Sequence, residues 1–335
     1  MIRIGMVGAG FWADLVQLPV FQKIPGFEVI AIASGKVENA RNAAAKFGIR
    51  KVYDSYGELV RDPGVQVVNI CVPNVLHKEI ALAAFREGKD VICIKPLAHN
   101  LAAATEMVHA AAESGRRLFY AENVTFIPAL ARAKEMVTSG LYGDLFRLKA
   151  CEGIGRTHAN WFSDPAQSGG GCIIDMAVHG LSFLQWMAGD SRPVRVSAEA
   201  GTFVHQQEVE DTSVITIRFE NGIIGQTEDS WSLTGGFDSR FELFGTKGHA
   251  LIDLLYGHPI RSALGGAIEG GGSLLHHHAV DDHCVKDGHL AMFTHFLDCL
   301  TQDKPCRSDG ASGLRILELV DAAYRSVQGS RTVEL

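Results

Sequence analysis

The chain has 335 residues, of which 47% are hydrophobic and 21% charged, and it carries a formal net charge of −7. This is the balance of a folded globular protein too long for one core, so two domains are expected. The acidic excess, the lack of any Lys/Arg-dense tract and the lack of an apolar run of spanning length exclude a nucleic-acid surface and a membrane span.

Short apolar runs at Ile2–Val7, Glu28–Ala33, Val65–Val72, Asp90–Ile94 and Arg117–Tyr120 alternate with amphipathic stretches near Trp12–Lys23, Glu38–Phe47, Leu76–Glu87 and Leu101–Ser114. Val- and Ile-rich strands separated by helices of three to four turns predict a doubly wound parallel sheet over residues 1–122. After Tyr120 the rhythm changes. A helix near Ala129–Ser139, a strand near Leu145–Glu152 and a helix around Cys172–Met187 lead into strand patterns at Arg195–Val204, Thr212–Phe219, Gly222–Ser230, Arg240–Phe244 and Ala250–Asp253. Consecutive strands, with a hairpin signal at Glu220-Asn221-Gly222, predict an α+β domain with a mostly antiparallel sheet over 123–335, closed by helices near Leu290–Leu300 and Ser312–Val327. The segment Gly265–Asp287 reads as a loop. Its His276-His277-His278, with Asp281, Asp282, His283 and Cys284, invites a metal, but adjacent histidines do not readily face one ion, and a solvated lid or contact loop is expected instead.

The seven cysteines lack paired spacing and read as reduced thiols. The first strand starts at Ile2 with no export signal ahead of it, so a cytoplasmic protein is expected.

Gly8-Ala9-Gly10-Phe11-Trp12-Ala13 follows the first strand and opens a helix. Gly8 permits the tight turn, Gly10 lets backbone approach a pyrophosphate, and Phe11 and Trp12 begin a helix whose N–H groups and positive dipole end meet the phosphates. At the end of the second strand, an acid that would read an unphosphorylated ribose is replaced by Ala33-Ser34-Gly35-Lys36. Ser34 can donate to a phosphate oxygen and Lys36 can neutralise it, so NADP is favoured over NAD.

Two later strands end in Cys71-Val72-Pro73-Asn74-Val75-Leu76-His77 and in Ile94-Lys95-Pro96, at the edge where open α/β sheets bind ligands. Asn74 and His77 can hydrogen-bond ribose and nicotinamide, and Lys95 stands where it can shuttle a proton. Far along the chain, Gly169-Gly170-Gly171 precedes Asp175 and His179, spaced i, i+4. The glycines would let a ligand approach, and the carboxylate would orient the imidazole as a general base. A zinc pair has the same spacing, although no further ligand lies close in sequence.

Together these segments resemble the glucose–fructose oxidoreductase, inositol dehydrogenase and rhizopine-catabolism family (Gfo/Idh/MocA). Gly140-Leu141-Tyr142-Gly143-Asp144 and the C-terminal Asp309-Gly310 and Ala322-Ala323-Tyr324-Arg325-Ser326 extend the likeness along nearly the whole chain. The resemblance implies a Rossmann domain followed by a sheet domain that assembles homodimers or homotetramers. It implies Lys95, Asp175 and His179 as the catalytic set, acting on a secondary alcohol of a sugar, inositol or related polyol. Asn123 would lie near the nicotinamide, Cys71 to Asn74 along the cofactor, and Trp161 and Phe162 against substrate. Ile94 stands where the family usually has glutamate, and Ser182 where an aspartate often follows the histidine. Dihydrodiol or biliverdin reductases and a non-catalytic dinucleotide-sensing regulator share the scaffold and are the alternatives.

Overall fold

The computed structural model describes residues 1–255, 260–265, 274–278 and 285–335. The first sheet comprises β1 (Ile2–Val7), β2 (Phe27–Ala33), β3 (Lys51–Tyr53), β4 (Val67–Ile70), β5 (Asp90–Ile94) and β6 (Leu118–Ala121), in the spatial order β3-β2-β1-β4-β5-β6. Every pairing in it is parallel. The helices of this part are α1 (Leu18–Lys23), α2 (Val37–Phe47), α3 (Tyr56–Arg61), α4 (His77–Arg86) and α5 (Leu101–Ser114). All of β4 is buried, as expected where helices cover both faces of a parallel sheet. Strand order reverses between β1 and β4, which opens the crevice where dinucleotides bind in Rossmann folds. Asn100 caps α5 by accepting from the Ala103 N–H at 2.8 Å.

The following helices are α6 (Pro128–Thr138), the single turn α7 (Pro165–Ser168), α8 (Val178–Ala188), α9 (Val285–Gln302) and α10 (Gly310–Gly329). The second sheet is built from β7 (Leu145–Ile154), β8 (Pro193–Gly201), β9 (Thr212–Phe219), β10 (Ile224–Ser230), β11 (Phe237–Gly245), β12 (Gly248–Asp253), β13 (Ile260–Leu264), β14 (Leu274–His278) and β15 (Val333–Glu334). Its order is β14-β13-β12-β11-β7-β10-β9-β8-β15, antiparallel throughout except where β10 runs parallel to β7. Burial alternates strictly along β10, the pattern of a sheet with one face packed and one face turned to water. Helix α8 packs on β7 and β10.

The chain forms two compact units that are not continuous in sequence: Met1–Asn123 with Asp164–Gly169 and His289–Glu318, and Val124–Ser163 with Gly170–Gly288 and Leu319–Leu335. In the first, the segment of α9 from His289 packs aromatic side chains on the parallel sheet side: Phe293 lies 4.4 Å from Phe21 and Phe296 lies 4.9 Å from Phe119, centroid to centroid. Ser308 then donates to the carbonyl of Tyr120 at 2.6 Å.

The loop expected over Gly265–Asp287 is corrected in part. Leu274–His278 is a strand, because β13 presents an open edge that pairs His278 with Ile260 and His276 with Ser262. Asp281, Asp282, His283 and Cys284 lie outside the described residues. No helix among the described residues is long and apolar enough to cross a membrane.

Candidate active site

The glycine turn has the geometry its sequence predicts. Gly8 adopts φ +108°, and a Cβ there would lie 1.9 Å from the carbonyl oxygen of Cys71, so only glycine fits. A Cβ on Gly10 would meet nothing within 4 Å, which leaves space above the turn. Ala13 is fully buried in a cluster with Met6 and Ile32 and sets how closely the helix meets the strand. Residues Ala13–Gln17 are wound as a π-helix, a variant common at functional sites. This segment carries Gln17 into the core, where its Oε1 accepts from Asn69 Nδ2 at 2.8 Å.

A groove of about 270 Å³ runs from Gly10 and exposed Phe11 past Asn39 to Lys46. In its wall Lys46 pairs with Asp14 at 2.7 Å. Trp12 is half-buried with its ring 5.7 Å from that of His289, Ser34 is half-buried, and Lys36 is exposed. The open space over Gly10, the forced turn at Gly8 and the helix start beyond them fit a dinucleotide pyrophosphate.

The turns after β4 and β5 correct part of the sequence reading. His77 is fully buried, with Nδ1 3.0 Å from the Pro96 carbonyl and Nε2 3.0 Å from the Val72 carbonyl. Burial pulls its pKa below the ordinary histidine value, against the pull of those carbonyls. Asn74 is 2% exposed and its Nδ2 donates to the Ser168 carbonyl at 2.8 Å. These two side chains were expected to hold ribose and nicotinamide; both ring nitrogens of His77 and one N–H of the Asn74 amide instead face the protein's own carbonyls. What His77 does is tie the turn carrying Val72 and Pro73 to the turn carrying Lys95 and Pro96. Cys71, Val72, Pro73 and Lys95 are half-buried, and Asn123 is buried at 5% exposure. Burial pushes the Cys71 thiol up to about 12, which disfavours its thiolate.

In the second unit, Asp175 lies in another π-wound segment, Ile173–Ala177, that runs directly into α8. Asp175 is 6% exposed, and its Oδ2 accepts from the indole N–H of Trp231 at 2.9 Å. His179, four residues on, is half-buried. Trp231 is fully buried in a cluster with Phe162, Cys172, Met176 and Val209, against which Trp161 packs. Trp161 and Phe162 stack with centroids 3.8 Å apart, and Phe162 meets Trp231 edge-on at 6.1 Å. Asp175 is thus fixed from behind by an aromatic wall. Trp231 was not anticipated; its only signal in sequence was a tryptophan one residue past an alternating strand.

The glycine run has a different role from the one expected. A Cβ on Gly170 would lie 1.9 Å from the Tyr324 hydroxyl, and one on Gly171 2.0 Å from the Glu210 carbonyl oxygen. In the first unit, a Cβ on Gly169 would lie 1.9 Å from the His99 carbonyl oxygen. The close approach is made by protein, not by a ligand. Glu210 Oε1 accepts from the N–H groups of Gly171 and Ile173, each at 3.0 Å, and from the Tyr324 hydroxyl at 2.8 Å. It stands where a helix start favours negative charge, although burial still pushes its carboxyl above the ordinary glutamate value. Tyr324 lies in one of the motifs that carried the family resemblance, whereas nothing in the sequence marked Glu210.

Comparison with known proteins agrees along the chain. Residues 2–122 match the model of an oxidoreductase family with an NAD-binding Rossmann fold, and residues 130–251 match the GFO/IDH/MocA C-terminal domain. The chain is 32% identical to trans-1,2-dihydrobenzene-1,2-diol dehydrogenase of Mus musculus over 257 residues, 76% of this chain and 75% of that enzyme. It is 26% identical to myo-inositol 2-dehydrogenase of Thermotoga maritima, over 100% of this chain and 98% of that one. Among solved structures, GenD2 from gentamicin A biosynthesis in complex with NAD superposes with a TM-score of 0.88 at 25% identity, covering 100% of this chain and 96% of that one.

Proposed function

The chain belongs to the Gfo/Idh/MocA family of NAD-binding oxidoreductases, and from that premise we propose that it oxidises, reversibly, a secondary alcohol on a cyclic polyol: a sugar, an inositol or a related ring diol. The observation that carries this reading is the Trp231–Asp175 hydrogen bond. It fixes a buried carboxylate four residues before a half-buried histidine, on one continuous helical stretch. His179 takes the hydroxyl proton as general base. Asp175, held by Trp231, orients the imidazole and stabilises the charge it gains. Lys95 donates to the same substrate oxygen and stabilises negative charge as the proton leaves. Trp161, backed by the buried Phe162, presents flat apolar surface to the ring and excludes water. The nicotinamide, when bound, supplies hydride acceptance and donation.

His179→Ala tests the reading: turnover falls by about 10²–10⁴-fold, the usual worth of a general base, while cofactor affinity holds. Undiminished turnover would remove His179 from the mechanism. The substrate class is tested with a panel of inositols, aldoses and ring diols. The aromatic wall and the 32% identity to a dihydrodiol dehydrogenase favour including an apolar trans-diol, and preferred turnover of that compound would replace the sugar reading. Tight cofactor binding with no turnover on any of these would point to a sensing regulator instead.

For the cofactor, NADP is favoured. No carboxylate stands in Ala33-Ser34-Gly35-Lys36, and the nearby Glu38 pairs with Arg41 at 3.0 Å. Tighter binding of NADH than of NADPH would sink this assignment. The family likeness also supports a homodimer or homotetramer assembled through the second sheet; sedimentation as a monomer at micromolar concentration would refute it.

A further inference from the structure

Away from the residues given a role above, the end of α9 and the loop leading to α10 bring together His295, Cys299 and Cys306. One ligand atom from each lies within 4.8 Å of the other two. His295 and Cys299 are spaced i, i+4 on α9, and Cys306 returns from the loop. His295 Nε2 accepts from the Arg307 backbone N–H at 3.3 Å, so the ring proton sits on Nδ1, and a metal at Nε2 would take over the lone pair that this bond uses. Cys299 Sγ lies 3.5 Å from that Nε2. Cys306 Sγ accepts from the Ser308 N–H at 3.4 Å, a bond that strengthens when the sulfur is a thiolate.

We infer that His295, Cys299 and Cys306 form a zinc site. Zn–S bonds of about 2.3 Å and Zn–N bonds of about 2.0–2.1 Å in a tetrahedron place the ligand atoms roughly 3.5–3.8 Å apart. The nitrogen–sulfur separation of 3.5 Å matches that spacing, and the 4.8 Å limit on the others leaves about 1 Å to close. The donor set is soft, two sulfurs and an imidazole, which selects zinc over magnesium or calcium. A cavity of about 540 Å³, with Cys306, Arg117 and Lys304 in its wall, gives a path to the Cys306 side of the site. Binding converts both thiols to thiolates and releases two protons, so the dication is neutralised by its own ligands. The ion would close the loop between α9 and α10, whose next residues pair with β6 through Ser308 and Asp309.

The experiment uses the full chain, reduced and stripped by a chelator, titrated first with Co²⁺ and then with Zn²⁺. One equivalent of Co²⁺ should give intense thiolate-to-cobalt charge-transfer bands, which Zn²⁺ then abolishes. Cys306→Ser and His295→Ala should each weaken zinc binding at least tenfold without weakening NADP(H) binding, whereas changing His276, His277 and His278 to glutamine should not weaken it. X-ray absorption of the wild-type zinc complex, which needs no variant to fold, should show two sulfurs and a nitrogen/oxygen remainder. An all-nitrogen/oxygen shell, no charge-transfer band, or a band that keeps its full intensity when Cys299→Ser and Cys306→Ser are combined overturns the site.

Discussion

The turn at Gly8–Gly10 and the run at Gly169–Gly171 each lead into a helix that begins with a π-wound segment, Ala13–Gln17 and Ile173–Ala177. At the first, the missing Cβ of Gly10 leaves a clear 4 Å above the backbone, beside a groove. At the second, the space a side chain would take is filled by the protein itself: a Tyr324 hydroxyl, a Glu210 carbonyl and, in the other unit, a His99 carbonyl. One glycine segment leaves open space beside a groove, and the other makes room for the scaffold behind the helix proposed to carry Asp175 and His179. Glycine before a helix therefore says that something approaches closely, and only tertiary structure says what.

The sharpest way to break this contrast is to add one methyl group to each segment. Gly171→Ala drives a Cβ to 2.0 Å from a backbone carbonyl that cannot swing away. It should cost at least about 3 kcal/mol in denaturant unfolding or abolish folding. Gly10→Ala should leave unfolding within about 0.5 kcal/mol of the parent yet weaken cofactor binding by roughly 10–100-fold, about 1.4–2.7 kcal/mol. A Gly171→Ala protein of full stability, or a Gly10→Ala protein of full cofactor affinity, would erase the distinction.

The same contrast explains what could be read from sequence. The Rossmann half was legible because its longer strands are apolar, largely buried runs and its helices have clear period. β1, β5 and α5 have the limits expected for them, while the three-residue edge strand β3 and the six-residue α3 were too short to register. In the second half, β9 was legible from its alternation, but β13 and β14 flank glycine-rich sequence and are defined by pairing with neighbours. Motifs marked Lys95, Asp175 and His179, the residues proposed to carry the chemistry. They could not show that His77 and Asn74 are spent on carbonyls, because a side chain's partner is a tertiary fact. For the same reason Trp231 and Glu210 stayed silent.

The Trp231 bond sharpens the comparison at the supported helix. Trp231→Phe keeps the apolar wall and removes only the N–H that Asp175 accepts. Losing a hydrogen bond to a buried charged group costs about 1.5–3 kcal/mol, so kcat should fall roughly tenfold or more, with a displaced acid limb in the pH–rate profile. Cofactor affinity should stay unchanged, because the glycine turn does not depend on this bond. An unaltered pH–rate profile would show that Asp175 needs no help from Trp231.

The smallest expected effect concerns pH. The second sheet packs a buried carboxylate, Asp229 at 1% exposure on β10, where that strand meets the Ile173–Ala177 segment. Burial pushes its carboxyl well above the ordinary aspartate value of 3.8, against a 2.8 Å hydrogen bond donated by Thr227. A raised value means the fold holds this proton more tightly than the unfolded chain does. Stability from the group is therefore complete below about pH 3.8 and is lost as pH rises through the raised value. Asp229→Asn removes the charge and with it that loss. The variant's unfolding free energy relative to the parent should rise with pH across this window, by at most about 1.4 kcal/mol per unit. A stability difference that is flat with pH would mean that Asp229 titrates as an ordinary carboxylate, and that the scaffold behind the Asp175–His179 helix is wetter than its burial indicates.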